Sequence, residues 1–492
     1  MTDTGPFAVM VLLAAAAGLV AVLSSRLTEH MLVPSPVLVL AGAAIAVNVV
    51  PTLHAPAERT VARVVTLALV CVLFDGGMQI GWERFRAAAR PIAVVGVAGT
   101  FLTAGAGAVL CHVVLGFGWY VSLLLATAIA PTDPAVVFSV LGRRKVSGRA
   151  GTILEGESGA NDPVGIALMA SLVAAGGIGA GAFGRVGGEF VLQMAVGAAA
   201  GIVGGRALLA FMRRVPLPSE GLYPLRSFAS VLLLFATATL AHGSGFLAVF
   251  VAGIVVGDER APYKREIERF HSALASLGEM VAFVVLGLTV DLAELARSDV
   301  YLPGILLGVA LALVLRPLLI GLCLVRSGLQ ANERSFVMFA GLKGAVPILL
   351  GGYVLRAHVT GAHRVYAIVV VVVVFSVVVQ GSLVPQAARL LRLPMRVAEL
   401  EPWALGVRLR DEPDGVQRLT IRSGSPAAGC TIADLDAFPQ GAWITLLVRA
   451  GQVLPMRGDT VLEAGDDLTI LASADQREQL AAAFERVAPG GP

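Results

Sequence analysis

Apolar runs recur along the chain from Phe7 to Pro385, each close to the ~20 residues that a bilayer-spanning helix needs. Short polar links bearing glycine or proline separate them. The pattern predicts spans at about 7–24, 33–51, 61–80, 91–115, 119–141, 150–175, 188–212, 225–241, 245–257, 272–290, 301–325, 335–355 and 365–385. That makes thirteen. The opening MTDTGPF carries no basic residue ahead of its apolar run, so it reads as the start of the first span and not as a cleaved signal. After the last span the pattern changes. Residues 391–415 read as a linker between a membrane domain at 1–390 and a small unit at 416–487. In that unit LTIRSG, AWITLLVRAG and DDLTILAS read as strands. Short helices are expected near Thr431–Asp436 and Gln476–Val487, with turns at Gly451 and Gly465–Asp466. The expected fold is therefore an all-α polytopic membrane protein with a small cytoplasmic α/β domain at its C-terminus. A unit of ~70 residues buries only a small core, so pairing with a second copy would help it.

Charge fixes the expected orientation. Arginine and lysine cluster in alternate links, at Arg84, Arg86 and Arg90, at Arg143, Arg144, Lys145 and Arg149, and at Arg260, Lys264, Arg265 and Arg269. The intervening links hold only scattered arginines such as Arg59, Arg185 and Arg297. Positive loops stay in the cytoplasm. This places the N-terminus outside and the C-terminus inside, in agreement with an odd number of spans. Composition matches, with 57% hydrophobic and 14% charged residues against roughly 25% charged in soluble chains. The net charge of +3 is too small and too dispersed for a nucleic-acid surface. Four cysteines without metal-ligand spacing are expected to be free thiols.

Charges inside the spans carry the candidate chemistry. Asp75 ends LVCVLFDGG, Asp133 lies in IAPTDPAVV, Glu155, Glu157 and Asp162 lie in EGESGANDP, Arg316 precedes Pro317, and Lys343 lies in GLKGAVP. Each costs roughly 2.5–3.5 kcal/mol at a bilayer centre, so each should face a partner or a wet cavity. Pro131 and Pro134 interrupt the fifth span and free carbonyls such as that of Thr132, while Gly341, Gly344 and Pro347 weaken the twelfth. Two interrupted helices at matched positions of two halves point to a transport site at the midplane, in an inverted-repeat arrangement. In the sixth span Ser158 and Asp162 share a face, as do Glu157 and Asn161. Ser158 and Asp162 could offer oxygens to a hard cation, and Lys343 is the candidate partner for Glu157, in a pair whose role is structural. Asp133 could instead cap a re-entrant turn, and Asp75 could mark a helix end. Arg316 and Glu155 read as residues near interfaces or loops, and Glu279 in SLGEMVAF has no assigned role. A channel would need a carbonyl filter or charged ring, and no TVGYG-like run is present. No HExxH, P-loop or strand-following GxGxxG is present either, so the chain is expected not to be an enzyme.

Taken together, APTDP, GESGANDP and GLKGAVP in the fifth, sixth and twelfth spans resemble the NhaP-type monovalent cation/proton antiporters, in particular the CvrA-like potassium/proton branch. The tail resembles a TrkA-C (RCK C-terminal) domain. The resemblance implies that Asp162 takes either a proton or the cation. Ser158, the Thr132 main-chain carbonyl and Asp75 would complete the shell, supported by Asp133 and Asn161, and Glu157 and Lys343 would join the sixth and twelfth helices. Many relatives have Glu where this chain has Asp75, which leaves open whether Asp75 ligates directly, and Arg where it has Lys343. Electrogenic relatives resemble an Asp-Asp pair where this chain has Asn161–Asp162, with a lysine in the tenth span that is absent here, so exchange is expected to be electroneutral. Potassium is the expected cation, with sodium as the alternative. The resemblance further implies a homodimer in a bacterial inner membrane. No cofactor is expected, apart from a possible small regulatory ligand such as a nucleotide on the tail.

Overall fold

The computed structural model describes residues 18–19, 35–49, 56–397 and 416–484, apart from 142–143, 147, 178, 180, 358, 436–437, 440, 450–451 and 473–475. All but two residues of the expected first span, and most of the expected linker, lie outside these residues. The chain divides into two compact units, Met1–Pro402 and Trp403–Pro492.

The first unit is helical. It begins with α1 (Ser35–Val49) and α2 (Glu58–Ala93), which runs through a π-helical turn at Val94–Gly99 into α3 (Thr100–Leu115). The third and fourth expected spans are thus one helical run of 58 residues. Its direction breaks at Gly81, where φ is 66° and the Asp258 carboxylate occupies the space a Cβ would need. Asp258 accepts from the Glu83 N–H at 2.6 Å and so serves a backbone donor that the break releases. The run ends at Gly116, in the left-handed conformation that favours glycine as a helix stop.

The expected fifth span is two pieces, α4 (Trp119–Ala128) and α5 (Pro134–Leu141). A three-residue strand, β1 (Arg144–Val146), leads into α6 (Gly148–Ala175), the sixth span. Next come α7 (Ala182–Arg214), α8 (Leu222–Leu240), α9 (Gly245–Gly257) and α10 (Lys264–Gly287). The eleventh span is α11 (Ser298–Ala310), a π turn at Leu311–Leu315 and α12 (Arg316–Cys323). The twelfth is again two pieces, α13 (Ala331–Phe339) and α14 (Ala345–Arg356). The thirteenth is α15 (Ala362–Phe375), a π turn at Ser376–Gln380 and α16 (Gly381–Leu390), followed by β2 (Met395–Val397).

Among the described residues, six helical stretches are long and apolar enough to cross a bilayer. The expected spans missing from that set have visible physical reasons. The fifth and twelfth are cut in two, the second and ninth are helices of only 15 and 13 residues, and α6 is made less apolar by Glu155, Glu157, Asn161 and Asp162. Helices suit this medium because they satisfy every backbone group within the segment. The core is correspondingly built from side chains between helices, with Phe74, Phe283, Phe336 and Met169 wholly buried.

The second unit is a four-stranded antiparallel sheet in the order β3-β6-β4-β5, from β3 (Val416–Thr420), β4 (Trp443–Arg449), β5 (Gln452–Leu454) and β6 (Asp467–Leu471). Alternation along β6 puts Leu468 and Ile470 inward, where they meet Leu480 and Phe484 of α17 (Arg477–Phe484). The expected first short helix is a single 3-10 turn at Ile432–Asp434.

Candidate functional site

The two helix breaks meet, and side chains satisfy the backbone groups that they free. Between α4 and α5, the carbonyls of Ala130 and Pro131 accept from Lys343 Nζ at 2.9 and 3.1 Å. Lys343 belongs to the opposite break, between α13 and α14. Across the same junction the Asp133 N–H donates to the Leu342 carbonyl at 2.8 Å. The Lys343 N–H donates to Ser376 Oγ at 3.1 Å, and Gln380 Nε2 donates to the Phe339 carbonyl at 2.6 Å. Both partners come from the π turn of the thirteenth span, a widening that is frequent at functional sites. Irregular backbone at membrane depth requires such pairing. Gly344 is required sterically, because a Cβ there would collide with the Asp133 carboxylate.

The α6 helix supplies the acidic and polar side chains. Glu157, Ser158, Asn161 and Asp162 are all buried, between 2% and 7% exposed. Thr132, in the first break, ties into them. Its hydroxyl donates to Glu157 Oε1 at 3.2 Å and accepts from Asn161 Nδ2 at 2.8 Å. Its N–H donates to Asn161 Oδ1 at 3.5 Å. Asn161 therefore locks the break against α6, and its amide uses both donor and acceptor to do so. Asp162 is held differently. Ser158 Oγ donates to its Oδ2 at the long distance of 3.5 Å, while Oδ1 is enclosed with no hydrogen-bond partner. Asp133 and Lys343 lie within electrostatic reach of it. A buried carboxylate oxygen without a partner is costly unless a proton or a cation occupies it.

One expected contact is corrected. Glu157 does not pair with Lys343. Its partner is Arg316, whose guanidinium lies 2.7 Å from Oε1 and donates to Oε2 at 3.0 Å. Arg316 also donates to the carbonyls of Met338 at 3.0 Å and Val337 at 3.3 Å, at the end of α13. A five-donor fork can serve a carboxylate and freed carbonyls at once, whereas the compact ammonium of Lys343 serves two carbonyls of the other break. Gly341 leaves the room that the Arg316 side chain fills. Arg316, expected near an interface, is in fact 5% exposed and central to the site's scaffold. The signal that could have found it is its position as a lone cation well inside the apolar 25-residue stretch Asp299–Cys323.

Asp75 is buried on α2, 6% exposed, and accepts from Gln79 Nε2 at 2.6 Å. Asp133 sits at the meeting of the breaks, as its backbone bond and its contact with Gly344 show. Glu279 on α10, to which the sequence assigned no role, has Oε1 enclosed without a hydrogen-bond partner and lies within the field of Asp133.

The chain is similar to known proteins in sequence and in fold. Residues 11–390 match the family described as sodium/hydrogen exchanger, transmembrane, and residues 416–485 match the TrkA-C domain. The K(+)/H(+) antiporter NhaP of Alkalimonas amylolytica is 33% identical over 410 residues, covering 82% of this chain and 71% of that protein. The K(+)/H(+) antiporter NhaP2 of Shewanella oneidensis is 30% identical over 431 residues, covering 85% of this chain and 73% of that protein. In fold, the chain is similar to the sodium proton antiporter MjNhaP1 of Methanocaldococcus jannaschii. The TM-score is 0.63 at 20% identity, over 76% of this chain and 99% of that one.

Proposed function

The chain belongs to the sodium/hydrogen exchanger family and is a cation/proton antiporter, and we propose that it exchanges potassium for protons, one for one, at Asp162. The observation that carries this reading is the enclosed, unpartnered Oδ1 of Asp162 beside a broken helix. Burial favours the protonated carboxyl, while a bound cation favours the carboxylate. Proton and cation therefore exclude each other on one group, and antiport follows if the site reorients only when occupied. Ser158 and the Thr132 carbonyl complete the oxygen shell, with Asp75 as a further ligand. Asp133 and Asn161 hold the break in position.

Charge balance supports electroneutral exchange. Asp162 with a proton and Asp162 with a monovalent cation carry the same net charge. Asn161 adds no second ionising group and is already committed to Thr132. Potassium in preference to sodium rests on the two relatives named as K(+)/H(+) antiporters. We further propose that the protein works in a bacterial inner membrane as a homodimer, with its C-terminus cytoplasmic and its TrkA-C domain regulating exchange through a small ligand.

The test is proton movement in proteoliposomes, followed with a pH-sensitive dye after potassium or sodium pulses. Potassium-driven exchange that is insensitive to clamping the membrane voltage, and abolished in Asp162→Asn with the fold intact, is the expected result. Exchange by Asp162→Asn at the parent rate would sink the site. Exchange driven by sodium alone would reassign the cation.

A further inference from the structure

We infer that strands β1 and β2 form a clip through which the C-terminal domain acts on the helices that carry the exchange site, an inference that rests on the antiport reading above. The β1 strand lies in the link between α5, which begins just after Asp133, and α6, which carries Ser158 and Asp162. The β2 strand follows α16 and is the first regular segment on the path from the last membrane helix to the tail. The two pair antiparallel, with Arg144 opposite Val397, Lys145 opposite Arg396 and Val146 opposite Met395.

Both ends of this clip are fastened. Gly148, at φ 74°, turns the chain from β1 into α6. Three residues on, Gly151 packs so closely against the Val146 carbonyl that a Cβ would not fit. A shift of β1 is therefore passed to the first turn of α6. Asp162 lies eleven residues beyond Gly151, ~16 Å along a continuous helix at 1.5 Å per residue. On the other side α16 packs against α5, and Asn332 Nδ2 donates at 3.1 Å to the carbonyl of Leu391, in the link between α16 and β2. The tail's attachment thus engages α5, on one side of the first break, and α6, which carries Asp162, and it reaches α6 by backbone pairing in a link that needs no strand to connect its helices. A tail state that favours one clip position biases the site by its differential interaction with the two positions.

The experiment is a double-mutant cycle on the full chain in proteoliposomes, reading the initial rate of potassium-driven proton exchange. Asp466→Asn perturbs the tail. Arg396→Pro and Met395→Pro, one for each hydrogen-bonding parity of β2, break the ladder. A fixed clip, oxidised Lys145→Cys/Arg396→Cys, is the second kind of variant and does not depend on proline being tolerated. Asp466→Asn is expected to change the rate about fivefold when the clip is intact or cross-linked, the low end of ordinary coupling. In the proline backgrounds it is expected to change the rate by less than about half that factor. Equal responses with and without the ladder would overturn the clip as the route, and no response in the intact chain would overturn it too. A parent chain that exchanges no protons would instead refute the antiport reading itself.

Discussion

Two arginine–carboxylate pairs, one in each unit, use nearly the same chemistry in opposite surroundings. In the membrane unit Arg316 divides its fork between Glu157 and the carbonyls of Met338 and Val337. In the tail Arg449 meets both oxygens of Asp466 at 2.8 Å and also donates to the Val461 carbonyl at 2.7 Å. The membrane pair has side chains 7% and 2% exposed, while Arg449 is 28% exposed. Water can repair a loss at the second pair and cannot at the first. The same motif is thus a structural necessity in one unit and a modest stabiliser in the other.

The comparison is broken most directly at the membrane pair. Arg316→Ala leaves the Glu157 charge without a partner, and Glu157→Ala does the same to Arg316. Each is expected to cost about 3–5 kcal/mol, read as a large fall in the detergent melting temperature together with lost exchange. The double variant Glu157→Ala/Arg316→Ala is expected to be less damaging than the sum of the singles, because neither charge is stranded. Additive losses would mean that the two residues do not work as a pair.

That pair also marks the limit of what the sequence revealed. The interruptions at Pro131, Pro134, Gly341 and Gly344 were legible because proline and glycine act locally, on their own backbone. The shared face of Ser158 and Asp162 was legible because a helix fixes it. The partner of Glu157 was not, since spacing within α6 says nothing about which other helix faces it. Arg316 and Lys343 are both lone cations in apolar spans, and only their contacts in the folded molecule separate them. Thr132 was read through its carbonyl alone, while its hydroxyl turns out to bridge Glu157 and Asn161. Strands β1 and β2, at three residues each, were too short for any alternation to show.

A middle-sized effect sharpens the contrast between the two cations of the membrane unit. Lys343→Met keeps the length of the side chain but leaves the Ala130 and Pro131 carbonyls unserved. The cost is expected to be ~2 kcal/mol, the desolvation penalty of unmade hydrogen bonds, and therefore below that of Arg316→Ala. Melting of the two variants side by side tests the order. A larger loss for Lys343→Met would make the lysine, and not the arginine, the main tie between the breaks.

The smallest effect belongs to the tail and has a sign in pH. Burial works against the charge of Asp466, but the hydrogen bonds from Arg449 and from the Glu463 N–H outweigh it and hold the carboxyl below its ordinary range. A carboxyl depressed in the folded state contributes stability above its unfolded pKa, ~3.9 for aspartate. That stability is lost as the pH falls through the lower folded value. Asp466→Asn is therefore expected to cost ~1 kcal/mol at neutral pH, given the solvent access of Arg449. The difference from the parent should shrink as the medium is acidified below about pH 4. Hydrogen exchange of the β4 and β6 amides in the full chain, at pH 7 and at progressively lower pH, follows this directly. A difference that stayed constant down to pH 3 would show that the loss comes from packing, and the tail pair would then be no counterpart of Glu157 and Arg316.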